Sequence, residues 1–203
     1  RRSHDRRNGT RAIHMVSAWA SANRLSLGQV ATAEKSNEIT AIPELLDQID
    51  IEGATVTIDA MGCQKALAAK IIDGKGQFVI GVKGNQPKLM NATQTAFEEV
   101  DQLDETSETK SKARRRTTHE KSRGREETRH YTILPLPESM SSLGAQWKGL
   151  KSIGRVVREV ICDGKVTSDT SYYICSYAAK VGVFSESARS HWGIENGLHW
   201  VMD

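Results

Sequence analysis

The chain has 203 residues, 38% of them hydrophobic and 26% charged, a composition that is typical of one soluble domain with an insertion. The sequence has no apolar run of bilayer-spanning length, so we expect no membrane partner. Three cysteines form an odd set without metal-ligand spacing, which predicts a reducing, cytoplasmic location. The formal net charge of +3 excludes little, because the charges are unevenly distributed along the chain.

The two ends of the sequence suggest a longer parent protein. The chain begins at Arg1 without a methionine or a signal-peptide pattern, and it stops at Asp203 inside a helical pattern. We therefore expect a fragment. Residues 1–11 carry five arginines against one aspartate, which is typical of a solvated basic arm and less often of a segment that contacts phosphates.

The first half of the chain predicts a mixed α/β sheet. Apolar runs and their spacing indicate, in chain order, a hairpin, a helix, a strand, a helix, a strand and a helix, at residues 12–20 with 25–32, 38–48, 55–58, 64–72, 77–82 and 88–103. The strands after the hairpin need crossover helices, so they are expected to be parallel neighbours.

Asp59 is the first candidate functional residue. It directly follows the β-branched run 55–58 and precedes a predicted helix. Open α/β sheets place their ligand sites at such a strand-to-helix turn. An aspartate at this position can equally cap the next helix, so position alone leaves both interpretations open.

The middle of the chain predicts a β-rich insertion over residues 104–180. Residues 110–129 contain nine basic and three acidic side chains, which favours either a flexible charged loop or a nucleic-acid contact through Arg114, Arg115 and Arg116. Two β-rich runs flank Asp163-Gly164, a dipeptide that predicts a tight hairpin.

A helix predicted from about residue 185 carries the second candidate. Glu195 lies on the same helical face as Ala188 and Trp192, where a carboxylate is unexpected because unpaired carboxylates are rarely buried. Two converging acids, Asp59 and Glu195, would suit a hard divalent cation such as Mg²⁺, and a pair of such ions can cleave phosphodiesters. Two acids alone are a weak signal.

Four motifs sharpen this interpretation. The segments TIDAMGCQ (57–64), GVKGNQP (81–87), GREETRHY (124–131) and SHWGIENGLHW (190–200) resemble those of DDE-type insertion-sequence transposases, in particular the branch with the H-repeat-associated proteins of Rhs elements. The resemblance runs along the whole chain, with the motifs in the same order.

The resemblance implies a fold and an activity. It implies a ribonuclease-H-like mixed sheet with flanking helices, made of a first part at residues 1–103, the insertion at 104–180 and a core helix at 181–203. The implied reaction is metal-dependent cleavage and transfer of DNA strands, with Mg²⁺ or Mn²⁺ held by Asp59 and Glu195. Double-stranded DNA, as transposon ends and target, is the implied partner, and a homo-oligomer is the implied assembly.

The resemblance also shows where this chain departs from the family. The family's first acid lies in an Asp-Gly-Lys motif on a strand before the hairpin, which here would fall upstream of Arg1, so we expect the fragment to be impaired or inactive. Ala188, His191 and Met202 stand where the broader group has Tyr, Arg and Lys. Residues expected to contact DNA phosphates are, besides the arginines at 114–116, Lys83, Arg189, His191 and Asn196.

Three alternatives stay open at the level of sequence. The chain could be a non-catalytic DNA-binding remnant of a transposase. His191, Glu195 and His199 recur at steps of four and could form a zinc set. Cys63 as a nucleophile is the weakest alternative, because no histidine is evidently placed to activate it, and it is better interpreted as a small packed residue.

Overall fold

The structure, a computed structural model, describes residues 14–21, 23, 25–32, 38–103, 106–108, 112–122 and 124–197; the side chains of residues 14, 32, 38 and 192–197 lie outside that description. The strands are β1 His14–Ala20, β2 Leu25–Thr32, β3 Thr55–Ile58, β4 Gln77–Val82, β5 Arg114–Ser122, β6 Arg125–Pro135, β7 Ser152–Cys162 and β8 Lys165–Cys175. The helices are α1 Glu38–Asp47, α2 Lys65–Asp73, α3 Pro87–Gln102, the single turn α4 Ser141–Gly144 and α5 Val181–Gly197.

The described strands form two sheets. β1 and β2 pair as an antiparallel hairpin, and the other six strands form one sheet in the order β3-β4-β8-β7-β6-β5. β3 and β4 are parallel, whereas the remaining pairs are antiparallel. This mixed sheet with flanking helices confirms the predicted α/β class. The β7–β8 hairpin is also confirmed, with positive φ at Asp163 and Gly164 as its two-residue turn requires.

The basic stretch 110–129 differs from the flexible loop considered above. Most of it forms β5 and the first part of β6, which pair in register from Arg114 opposite Ile133 to Ser122 opposite Arg125. Cross-strand partners explain why so charged a segment can be a strand: Lys121 pairs with Glu126, and Thr117 hydrogen-bonds His130. The charged composition favoured a loop. The segment forms a strand instead because β6, the next strand in the chain, supplies its pairing partner.

The main sheet has a core on each face. On one face, α2 and α3 pack against Phe78, Ile80 and Ile153. On the other face, α5 packs through Phe184 against Val79, Tyr131 and Tyr173, among others. Ala41 and Leu45 of α1 pack against Val30 of β2, beneath the hairpin. None of the helices in the described part of the chain is long and apolar enough to cross a membrane.

The contact between Phe184 and Gly154 seats α5 on the sheet. The Phe184 ring is fully buried and meets Tyr131 and Tyr173 edge-on, with centroid distances of 6.2 and 5.5 Å. A Cβ on Gly154 of β7 would lie only 2.4 Å from this ring. The missing side chain therefore makes the room that α5 needs for close packing.

Gly154→Ala is expected to lower the free energy of unfolding by about 1–3 kcal/mol, because the added methyl overpacks the contact with Phe184. The matched control is Gly182→Ala in α5, where a Cβ would meet nothing within 4 Å and alanine favours the helix. Urea denaturation of both variants measures the difference. Equal stability of the two variants would contradict this account of how α5 is seated.

Candidate functional site

Asp59 lies on the side of the sheet that α5 covers. Ile58 belongs to the core on the α2–α3 face, so its neighbours Thr57 and Asp59 face the other way by the alternation of extended backbone. The hydrogen bond between His191 Nδ1 of α5 and Thr57 Oγ1, at 3.2 Å, is consistent with this assignment. The carboxylate that ends β3 and the helix that carries Glu195 therefore share one face of the sheet.

The Asp59 carboxylate is also a cap. Its Oδ1 accepts hydrogen bonds from the backbone N–H groups of Met61 (3.0 Å) and Gly62 (3.4 Å), in a 3₁₀ turn at Ala60–Gly62. Its Oδ2 has no hydrogen-bond partner among the described residues, and the residue is exposed. Both interpretations of Asp59 are thus compatible with the geometry: one oxygen orients the carboxylate, and the other is available to a ligand.

Side chains from the loop after β4 hold the Asp59 turn in place. Asn85 Nδ2 donates to the Ala60 carbonyl at 2.6 Å, and Gln86 Nε2 donates to the Cys63 carbonyl at 2.8 Å. A Cβ at Gly81 would lie 3.2 Å from the Ala60 nitrogen, so glycine lets β4 approach the turn closely. Sequence reasoning gave these residues no role; the only signal was their place in the GVKGNQP motif.

A cavity of about 870 Å³ separates the hairpin from the main sheet. Its walls are β1, including Val16 and Ala18, and the outer edge of β3, with α1 contributing Leu45. Within the described residues β3 hydrogen-bonds only to β4, so the edge of β3 that faces this cavity is unpaired.

Three of the predicted site residues line this cavity. Asp59, Lys83 and His191 all contribute to its walls, although they come from the turns after β3 and β4 and from α5. Lys83 is exposed at the end of β4. Because β3 and β4 are parallel neighbours, Lys83 and Asp59 both lie at the carboxyl ends of these strands.

Glu195 and Asn196 lie in the last turn of α5, and their side chains are outside the described residues. Glu195 follows His191 by four residues, so the two positions share one face of the helix. Because His191 contacts Thr57, that helix face is directed towards β3. Trp192 has no described side chain, and His199 and Met202 lie wholly outside the described residues.

The predicted arginines lie on the far edge of the sheet from Asp59. Arg114, Arg115 and Arg116 begin β5, and four strands separate β5 from β3. Arg116 donates to Ser185 Oγ at 3.0 Å and lies 3.8 Å from the Glu186 carboxylate. These three positions are separate from the cavity beside Asp59, and Arg115 lies on the opposite face of β5 from Arg116.

Arg189 belongs to an ion cluster that joins α5 to the β5–β6 hairpin. Its Nε and Nη2 donate to both oxygens of Glu120, each at 2.9 Å, and Arg129 donates to the same carboxylate at 3.1 Å. The Arg189 hydrogen bond and the charges of the two arginines lower the pKa of Glu120. In return, the Glu120 hydrogen bond raises the pKa of Arg189.

The remaining members of the ion cluster surround Glu127, a buried carboxylate on β6. Glu127 contacts Arg129, and it accepts from Arg125 at 2.6 Å and from Arg158 at 3.0 Å. The pKa of Arg129 is lowered, mainly because burial removes water from its charged guanidinium. We call the six residues Glu120, Arg125, Glu127, Arg129, Arg158 and Arg189 the α5 ion cluster.

Cysteine chemistry is not supported at this site. Burial raises the pKa of Cys63 to about 12, so its sulfur stays a protonated thiol, in keeping with the packed role predicted for it. The described part of the chain contains no group of three His, Cys, Asp or Glu side chains able to hold a metal. The zinc set stays a prediction, because the Glu195 side chain and His199 lie outside that part.

The family with the description "Transposase DDE domain" matches residues 1–203, the whole chain. This chain therefore belongs to the DDE transposase family, as its motifs predicted.

Curated relatives support the same branch. The chain is 40% identical over 207 residues to the "H repeat-associated putative transposase YhhI" of Escherichia coli K12. The matched region covers all of this chain and 53% of YhhI. It is 44% identical over 140 residues to YbfD of the same strain, a protein named in the same way, with 69% of this chain and 53% of YbfD covered. The "Putative transposase YncI" of E. coli O157:H7 is 42% identical over 206 residues, with all of this chain and 51% of YncI covered. The chain thus spans about half the length of these relatives.

Gly81→Ala is expected to displace the Asp59 turn and to cost about 1–3 kcal/mol of stability, because its Cβ would press on the Ala60 backbone, which cannot rotate away. Gly84→Ala, three residues on, is the control, since its Cβ would meet nothing within 4 Å. Thermal unfolding gives the stability, and amide chemical shifts of residues 59–63 report the displacement. Unchanged shifts in Gly81→Ala would refute the close-approach argument.

Proposed function

We propose that this chain is the core of a bacterial transposase that cleaves phosphodiesters at transposon ends and joins the freed 3′-hydroxyl to target DNA. The observation that carries the proposal is the placement of Asp59. Its exposed carboxylate ends β3 on the face covered by α5, the helix that carries Glu195. Membership of the DDE transposase family supports the same chemistry.

Asp59 and Glu195 would hold the Mg²⁺ or Mn²⁺ ions of the reaction. The fit rests on Asp59, whose Oδ2 offers an oxygen donor while two backbone N–H groups fix the orientation of Oδ1. When bound, such ions activate an attacking oxygen and stabilise the leaving oxygen. This chain's own residues orient Asp59 through the loop after β4 and place Lys83 and His191 at the cavity. There the Lys83 ammonium would attract a DNA phosphate, and the His191 ring would offer a hydrogen bond.

A strand that precedes Arg1 would complete the site. We propose that it pairs with the open edge of β3 inside the cavity between β3 and the hairpin and brings the first acid beside Asp59. Residues 1–103 and 181–203 would then form the ribonuclease-H-like core, with residues 104–180 as an insertion. The relatives are about twice as long as the matched segment, which leaves ample chain to supply such a strand.

The second candidate is a DNA-binding remnant without catalysis. It is favoured by the basic start of β5, whose arginines lie far from Asp59 and do not depend on it. Binding to double-stranded DNA, with or without assembly into a homo-oligomer, is common to both candidates. A measurement of DNA strand cleavage distinguishes the enzyme from the DNA-binding remnant.

In a version extended upstream of Arg1, Asp59→Asn is expected to reduce Mg²⁺-dependent strand cleavage by about 100-fold or more, because the variant loses a carboxylate that would hold the metal ions. DNA binding should be retained. Asp163→Asn in the β7–β8 turn is the matched control, and it should cleave like the wild type. The chain 1–203 alone should bind DNA without cleaving it. The readout is cleavage of a labelled duplex together with its binding isotherm.

Two outcomes would overturn the enzyme proposal. Cleavage by the extended Asp59→Asn variant at the wild-type rate removes Asp59 from the chemistry. No cleavage by the extended wild type, with DNA binding intact, favours the remnant. Zinc in the purified protein, together with loss of activity in His191→Ala, would favour the zinc alternative.

Arg115→Ala is expected to weaken binding of duplex DNA for every sequence alike and to lower the slope of log K against log salt by about 0.9, the value for one lost phosphate contact. Lys148→Ala, which removes an ion pair with Asp73 beside α2, is the control and should leave the slope unchanged. Binding titrations at several salt concentrations measure both variants. An unchanged slope in Arg115→Ala would exclude β5 from the DNA interface.

A further inference from the structure

We infer that Glu120 of β5 is a positioning residue for α5: by holding Arg189 it sets where the end of the helix, and with it Glu195, stands against β3. The inference rests on the proposed function for its catalytic consequence. The contact itself stands on the geometry alone.

The position of α5 between the two edges of the sheet is the first observation. β3 and β5 are the outermost of six strands, and on a flat sheet they would lie about 24 Å apart. Nevertheless α5 contacts both, with Arg189 on Glu120 of β5 and His191 on Thr57 of β3. The sheet must therefore curl around α5, and the helix is held from both sides within two residues of its length.

The bond geometry at Glu120 is the second observation. Two parallel N–H···O bonds of 2.9 Å from one guanidinium fix both the distance and the orientation of the Arg189 side chain. Glu120 is itself fixed by Arg129, whose side chain is only 11% exposed and also contacts Glu127. Glu120 therefore cannot follow a displaced helix without losing its bond to Arg129.

The distance from Arg189 to Glu195 explains why this contact matters for chemistry. Six residues of helix span about 9 Å, so a tilt at Arg189 is transmitted to the last turn of α5. A misplacement of about 1 Å at a reacting group can cost about 100-fold in rate. Glu120 touches neither substrate nor metal in this scheme, so its effect on cleavage is indirect.

The first test is hydrogen exchange on the chain 1–203, which requires no activity. Glu120→Gln keeps the shape of the side chain but removes its charge, and it should speed exchange of the α5 amides after Arg189 about tenfold while β7 and β8 stay protected. Arg189→Lys, which keeps the charge and loses the two-pronged bond, should give a smaller effect. Glu126→Gln is the matched control: Glu126 lies on the same hairpin, pairs with Lys121 and is on the opposite face of β6 from Glu127.

The second test is kinetic, in the extended version. Glu120→Gln and Arg189→Gln should each lower kcat about tenfold or more with unchanged affinity for DNA, and the double variant should be no slower than the worse single variant, because both remove one interaction. Equal exchange in Glu120→Gln and wild type, additive kinetic losses, or the same losses in Glu126→Gln would overturn the inference. So would weaker DNA binding by Arg189→Gln alone, which would make Arg189 a phosphate contact instead.

The two proposals fail in distinguishable ways. If the extended wild type does not cleave, or if Asp59→Asn has no effect, the proposed function fails, and the exchange data alone decide whether Glu120 holds α5. If cleavage depends on Asp59 but not on Glu120, the function stands and the positioning role is wrong.

Discussion

The packing of α5 in the concave face of the sheet is the constraint on which the rest of the structure depends. Phe184 can be buried there only because Gly154 has no side chain. From that anchor the helix contacts strands that are remote in the sheet order, β3 and β5. A helix so held joins distant parts of the chain, since Thr57 and His191 are 134 residues apart.

The two sides of α5 use different interactions. Towards β3, the structure shows a hydrogen bond between His191 and Thr57, beside the cavity that Asp59 also lines. Towards β5 it is a charged network, in which each carboxylate is shared by more than one arginine. Shared charge-assisted bonds are directional and resist displacement, whereas a single exposed ion pair adds little. The β5 side of the helix is thus held by several shared charged bonds, whereas the β3 side borders a cavity.

The Asp59 turn shows how one residue can have a structural and a chemical role together. Capping by Asp59 uses Oδ1 and fixes the rotation of the carboxylate, so the remaining oxygen has a defined direction at the sheet edge. Asn85 and Gln86 restrain the same turn from the neighbouring loop. In a metal-dependent transposase this arrangement would lower the reorganisation needed for binding, which is the usual benefit of a preorganised ligand.

Much of this architecture could be predicted from the sequence. β-branched runs and helical spacing located β3, β4 and the helices α1 to α3, and Asp163-Gly164 specified the β7–β8 turn, because these signals act between near neighbours. Four motifs in order also identified the family. Local signals failed at residues 110–129, where strand β5 depends on pairing with β6, and they gave Asn85, Gln86 and Glu120 no role. Only the tertiary structure decides such contacts, because curling the sheet around α5 joins residues that no spacing along the chain connects.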